Sequence, residues 1–333
     1  MSLPEVVAAV MFVGITLYAL LGGADFGAGF WDLVAGNARR GAASRSLIER
    51  SIGPVWEANH VWLVFVLVVL WTGFPTAFAP IMATMYIPLT LAAIGIILRG
   101  AAFAFRKASG PVEVRRVFGA TFASSSVLTP FFLGAVVGGI ASGRVPEEGT
   151  GDVWSSWVNP TSMLGGVMAV VVCAFLAAVY LAADAQRREL ADLAKGFQRR
   201  AFVAGIVAGV VALGGVFILR EDAPELYDGL TNRGAPLIVL SAIAGVATLV
   251  LVARGRFGWA RYTGAAAVVA VLWGWAAGQY PNMIEPGFTI DDAAGARDTL
   301  IAMLGVLGVG SLLLVPALVW LFVLFQRGEL EAH

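Results

Sequence analysis

The chain has 333 residues, 59% of them hydrophobic and only 13% charged, with a mean hydropathy of +0.83. Soluble domains carry about 25% charged residues, so this composition excludes a water-soluble domain of useful size between the apolar runs and makes lipid the solvent. Net charge is zero, which gives nucleic-acid binding no support, and the single Cys173 excludes an internal disulfide or a multi-cysteine metal or iron–sulfur site held by this chain alone.

Nine runs are long enough to cross about 30 Å of hydrocarbon at about 1.5 Å per residue. They lie near residues 5–27, 54–73, 77–98, 117–141, 161–183, 201–219, 235–253, 262–279 and 299–325. The expected fold is therefore an all-α polytopic membrane protein, a single membrane domain over 1–333. Met1 to Glu5 carries no basic region ahead of the first run, which argues against a cleaved signal peptide.

Helix 1 ends in Gly22-Gly23-Ala24-Asp25-Phe26-Gly27, where small residues let another helix approach a carboxylate closely. Helix 2 opens with Gly53-Pro54-Val55-Trp56-Glu57-Ala58-Asn59-His60-Val61-Trp62-Leu63, which sets a carboxylate, an amide and an imidazole at the mouth of an apolar helix. An ionisable group there costs about 2.5–3.5 kcal/mol on insertion scales, so it signals function. Glu57 reads either as a helix-start carboxylate favoured by the dipole after Pro54, or as a proton-exchanging partner of His60, three residues on and on the same face. Asp25 reads either as a member of that relay or as a carboxylate tied to a backbone amide or to Arg99.

Helix 4 carries Ser124-Ser125-Ser126 and Thr129-Pro130, read as a structural kink or a helix–helix hydrogen bond. Trp31, Trp71, Trp154 and Trp157 fall near span ends and read as an interfacial belt. Trp56 and Trp62 belong to the helix 2 motif and suit a subunit contact.

With the N-terminus outside, the inner segments hold eighteen of the 22 basic residues and the outer segments only Arg144, Arg220, Arg233 and Arg297. This predicts N-out and C-in. Of the 22 acidic residues, only Asp25 and Glu57 fall within or at the edge of the hydrocarbon, both toward the cytoplasmic side. Four runs precede the connection at 142–160 and four follow, which predicts a first four-helix bundle in 1–141, a second in 161–279, and a peripheral ninth helix at 299–325. The histidines are His60 and the terminal His333, too few for a six-coordinate haem across a bundle, so no haem ligand and no metal site is assigned here.

These residues resemble subunit II of the cytochrome bd-type quinol oxidases. The helix 2 segment is similar to that family's pattern G-P-x-W-(D/E)-x-N-x-V-W-L. Asp25-Phe26-Gly27 resembles its aspartate–aromatic–glycine ending of helix 1, and Arg99 to Arg106 its arginine-rich segment after helix 3. Pro130, Gly134, Asn159-Pro160, Pro281 and Pro286 fall in comparable places, and the likeness is dense to about residue 166 and thin beyond.

The resemblance implies nine helices in two four-helix bundles plus one, within a bacterial cytoplasmic membrane. It implies a heterodimer with a subunit I that bears haem b and haem d and oxidises quinol, reducing dioxygen to water with protons taken from the cytoplasm. It assigns Asp25 and Glu57, with His60 beside them, to a proton path along the interface, and Trp56, Asn59, Trp62, Arg99 and Arg106 to the motif and subunit contact. It also raises a structural quinone and a small accessory subunit.

Two positions depart from the pattern. Gly22 and Ala104 stand where the family usually has acids, which points to a divergent branch, the cyanide-insensitive type, and makes pairing of Arg99 with Asp25 or Glu57 more attractive. A proton-coupled secondary transporter is the alternative, since it too would place carboxylates in paired bundles, though nearer the midplane and on broken helices. A purely structural scaffold is the third reading.

Overall fold

The computed structural model describes residues 1–37, 39–52, 56–108 and 112–326; expectations that fall on Gly53, Pro54, Val55 and His333, or on the side chains of Trp56, Glu57 and Arg106, lie outside the described residues. Helix α1 (Leu3–Leu17) starts at a capping box in which Ser2 Oγ accepts from the Glu5 amide at 3.3 Å and Glu5 Oε2 accepts from the Ser2 amide at 2.6 Å. It runs without a break through a π-helical turn, Tyr18–Gly22, into α2 (Gly23–Leu33). Helix α3 (Ala42–Ile52) is tied back to α2, with Arg45 Nε donating to Asp32 Oδ1 at 2.6 Å.

Helix α4 (Trp56–Gly73) stops at Phe74, whose φ of −135° leaves the helical region, and Pro75 opens α5 (Pro75–Thr84), bent by 120° from α4. Proline fits the first turn of a helix because it has no N–H to donate, and so it starts a new helix here. The span expected at 77–98 is corrected accordingly: residues 77–84 belong to α5, and the spanning helix is α6 (Tyr86–Ala108). There follow α7 (Val112–Ala141), α8 (Pro160–Arg187), α9 (Ala191–Asp222), α10 (Pro224–Asn232), α11 (Ala235–Ala253) and α12 (Phe257–Gln279). A hairpin of β1 (Asn282–Ile284) and β2 (Phe288–Thr289), then α13 (Ile290–Ala293), leads into α14 (Arg297–Gln326).

Among the described residues seven helices are individually long and apolar enough to cross a membrane, and the bent pair α4–α5 makes an eighth if counted as one span. Helix α12, with 23 residues, is of sufficient length but falls outside that set.

Packing runs in two chains. Helix α1 packs on α4, α6 on α7, and α7 on α2, while α8 packs on α9, α9 on α11, α11 on α12 and α12 back on α8. The two sets meet where α8 crosses α7 and α2. Glycine permits those crossings: a Cβ on Gly27 would lie 1.8 Å from the Cys173 carbonyl oxygen, and one on Gly134 would lie 2.3 Å from the Gly165 carbonyl oxygen. One apolar core gathers Trp31, Phe197 and Phe257 around Leu176 and Val179 of α8, and a second gathers Val7, Val69, Phe74, Trp157 and Leu300 at the opposite end. Helix α14 touches α1 and α4 and is exposed along most of its length.

The start of α8 is clamped. Asp222, at the end of α9, accepts from the Thr161 amide at 3.0 Å and hydroxyl at 2.6 Å, and takes both Arg144 nitrogens at 3.1 and 2.6 Å. Of the four belt tryptophans, Trp71 and Trp154 are exposed as expected, whereas Trp31 and Trp157 are buried. Their indole N–H groups donate inward, to the Ala174 and Val153 carbonyls at 2.8 and 3.1 Å, because a buried indole needs an acceptor.

Candidate functional site

The buried charge concentrates where α2, α4, α6 and α7 converge. Asp25 stands in the first turn of α2, one turn past the π-helical segment, and is 7% exposed. Single π turns often mark functional positions because they disturb the regular backbone ladder. Asn59 of α4 donates its amide to the Leu21 carbonyl within that turn at 3.4 Å and to Asp25 Oδ2 just beyond it. The motif's amide thus positions the carboxylate, a pairing the sequence did not propose.

Among the described residues, Arg99 of α6 is the largest fully buried side chain, 1% exposed. Its Nε donates to Ser126 Oγ at 3.1 Å, and its guanidinium lies over the rings of Phe26 and Phe122 at 4.9 and 5.1 Å. Two aromatic faces stabilise a desolvated cation electrostatically. No ion-pair contact within 4.0 Å joins Arg99 to Asp25, so the expected direct pairing is corrected to an indirect one: the cation packs on Phe26, the residue after the carboxylate, and the carboxylate takes its hydrogen bond from Asn59. Whether Arg99 meets Glu57 lies outside the described residues.

Ser126, read from the sequence as part of a kink or of a helix–helix hydrogen bond, makes such a bond with Arg99. Its hydroxyl donates to the Phe122 carbonyl at 2.6 Å and accepts from Arg99, and a Cβ on Gly29 would sit 2.2 Å from its Oγ, so only glycine lets α2 approach it. His60 packs its ring against those of Tyr18 and Phe26, with Nδ1 3.4 Å from the Tyr18 hydroxyl. Trp62 packs edge-on against Phe65, half-buried on α4. Asn59 Oδ1 and Arg99 Nη2 are buried and make no hydrogen bond among the described residues, leaving one acceptor and one donor beside the carboxylate.

The arrangement holds a buried carboxylate, fixed by the Asn59 amide, on the helix whose Phe26 ring carries the Arg99 cation. The His60 Nδ1 is engaged by the Tyr18 hydroxyl. Among the described residues no group of three or more His, Cys, Asp or Glu side chains is placed to hold a metal ion.

The site ends at an exposed apolar stripe. On α4, Val61, Val64, Val68 and Trp71 are 43–65% exposed at helical spacing, and on α6 Leu91, Ile94 and Leu98 repeat the pattern.

A multi-pass helical membrane protein with a buried carboxylate–amide–arginine site at one end of its spans is the class defined by this fold. Residues 3–325 match the family model of cytochrome bd terminal oxidase subunit II, and the chain belongs to that family. It is 26% identical to the cytochrome bd ubiquinol oxidase subunit 2 of Bacillus subtilis (97% of this chain, 94% of that protein). It is also 26% identical to the cytochrome bd-I ubiquinol oxidase subunit 2 of Escherichia coli K12, over 63% of this chain and 56% of the other. Its fold is similar to that of the bd oxidase from Geobacillus thermodenitrificans, with a TM-score of 0.78, 26% identity, and coverage of 98% and 99% of the two chains. The chain is therefore a subunit of a quinol-oxidising oxidoreductase complex, and subunit II implies a subunit I partner. That membership favours the oxidase over the proton-coupled transporter.

Proposed function

We propose that this chain scaffolds a haem-bearing subunit I and carries protons toward it from the cytoplasm through Asp25, with Glu57 as the entry acid and His60 beside them. The haem b and haem d groups belong to subunit I in this reading. The observation that carries it is the Asn59 amide fixing the Asp25 carboxylate in a buried site at the foot of the exposed α4 stripe. A buried carboxylate that has a hydrogen bond but no ion pair is a costly arrangement, and such a cost fits a proton-handling group better than a structural one.

Nine spans support the reading as follows: the seven apolar helices, α4 with its bent partner, and α12 as the ninth. The helices before and after residues 142–159 form two four-helix bundles, with α14 peripheral, and the α4 and α6 stripes cover subunit I. The N-terminus lies outside, which puts Asp25, about 33 Å along the first span at 1.5 Å per residue, at the cytoplasmic end.

Asp25→Asn in the purified complex tests the relay. The amide keeps the shape and a hydrogen bond but cannot release a proton, so quinol-driven oxygen consumption should fall at least about tenfold while the haem spectrum stays that of the assembled complex. Wild-type turnover in a fully haem-loaded Asp25→Asn complex would remove Asp25 from the path.

A further inference from the structure

A cleft of about 410 Å³ opens beside α2 at the start of α9, lined by Trp31, Gly196, Arg199, Arg200 and Val203. The four α9 residues share one face, spaced at i, i+3, i+4 and i+7. Arg200 is half-buried, with its guanidinium over the rings of Trp31 at 5.6 Å and Phe197 at 4.6 Å. Among the described residues neither Arg199 nor Arg200 takes part in an ion pair, although the other buried or half-buried arginines at the helix ends, Arg45 and Arg144, do. Two arginines lining one cleft with no ion-pair partner among the described residues, one of them fixed by stacking, call for an anion. The apolar run of α9 begins directly after them, and Val203, Val207 and Val210 continue the same face, 41–64% exposed. Arg200 to Val210 spans about 15 Å at 1.5 Å per residue, most of the length of an acyl chain. Gly196 has nothing within 4 Å of where its Cβ would be, so the mouth of the cleft is open.

We propose that this cleft binds one anionic phospholipid, its phosphate held by Arg199 and Arg200 and one acyl chain laid along Val203, Val207 and Val210. Arginine suits the phosphate because its planar fork gives two parallel N–H donors, and basic pockets at headgroup level between helices suit anionic lipids over zwitterionic ones. The inference is independent of the proton path and requires only that α9 faces lipid in the assembled complex.

The test uses the purified oxidase complex, delipidated in mild detergent and then supplied with phosphatidylglycerol, phosphatidylcholine or inorganic phosphate. Native mass spectrometry counts bound lipid and thermal melting follows stability. Wild type should retain one phosphatidylglycerol and melt higher with it than with phosphatidylcholine or inorganic phosphate. The Arg199→Gln/Arg200→Gln pair should weaken that binding at least tenfold. Gly196→Leu, which keeps both charges and grows into open space, should block it while leaving the haem spectrum unchanged. Equal stabilisation by phosphatidylcholine would reduce the site to ordinary lipid contact, and equal stabilisation by inorganic phosphate to a simple anion site. Either result, or phosphatidylglycerol binding undiminished in Gly196→Leu, would overturn the proposal.

Discussion

Asp25 and Asn59 are 34 residues apart in sequence and act as one unit, because the amide N–H of one is the hydrogen-bond donor to the carboxylate of the other. Replacing Asn59 with Leu keeps the volume but leaves a buried carboxylate without its donor. A hydrogen bond to a charged group is worth about 1.5–3 kcal/mol, so Asn59→Leu should lower the melting temperature of the complex by several degrees. Asn59→Asp, which retains polarity but adds a like charge, should do worse than Leu; if both variants melt with wild type, the hydrogen bond has no energetic role. The glycine context and the cost of burying charge single out Asp25 in the sequence, whereas Asn59 and Arg99 read there as motif and subunit-contact residues and the structure buries both. Tyr18 was not legible, and the Ser124-Ser125-Ser126 run was legible only as a kink or an unspecified helix–helix hydrogen bond, because a helical serine that bonds back to its own helix looks ordinary. Its second partner, Arg99, arrives from α6 through a packing register that no local pattern encodes. The same limit misplaced Trp31, whose position at a span end is a sequence fact while the Ala174 carbonyl that receives it is a tertiary one.

At the scale of elements, the crossing of α7 and α8 requires glycine on both helices. The Gly134 and Gly165 backbones of α7 and α8 are in contact, each carbonyl lying 2.3–2.4 Å from where the other's Cβ would be. Gly134→Val should therefore separate the two helix sets and cost at least about 1–3 kcal/mol, read as loss of assembled, haem-loaded complex from membranes. Gly209, with open space around it, is the control: Gly209→Val should assemble as wild type. The hairpin makes a different prediction. Burial raises the Glu285 carboxyl above its ordinary value, with the Asn282 hydrogen bond opposing, the Glu225 charge adding and Arg233 opposing. The folded chain thus holds that proton more tightly than the unfolded one. The stability it adds is complete below the ordinary value of 4.5 and is lost as pH rises through the higher folded value. Melting Glu285→Gln beside wild type from pH 4 to 8 should show the variant gaining on wild type as pH rises, and a constant difference would show that Glu285 does not titrate in this way. Length and apolarity made most spans legible. The break at Phe74 and Pro75 was legible as the gap between the runs 54–73 and 77–98, but its 120° bend and the separation of α5 from α6 at Met85 were not, since hydropathy continues from 77 to 98. The hairpin was missed because strands of three and two residues are too short for a periodic pattern.

For the whole molecule, the distribution of charge decides what the site can do. The basic residues cluster at the ends of spans that the sequence places inside, and Asp25 lies at that same end of the first span. If those ends are cytoplasmic, protons entering at Asp25 come from the side that must lose them for quinol oxidation to build a gradient. If they are periplasmic, the same residues would dissipate it. Orientation is therefore the prediction on which the proton path stands, and the chain suits a direct measurement. Its one thiol, Cys173, is buried in α8 and can be replaced with alanine at the cost of a single sulfur. In that background Glu148→Cys, exposed between α7 and α8, should react with a membrane-impermeant maleimide on whole cells. Arg254→Cys, exposed between α11 and α12, should react only after the membrane is opened. In the nine-span reading, eighteen basic residues on one side against four on the other disfavour the opposite orientation. The reverse labelling pattern would nonetheless overturn it, and with it the assignment of Asp25 to proton uptake, because a relay that opens to the wrong compartment cannot supply the protons for water.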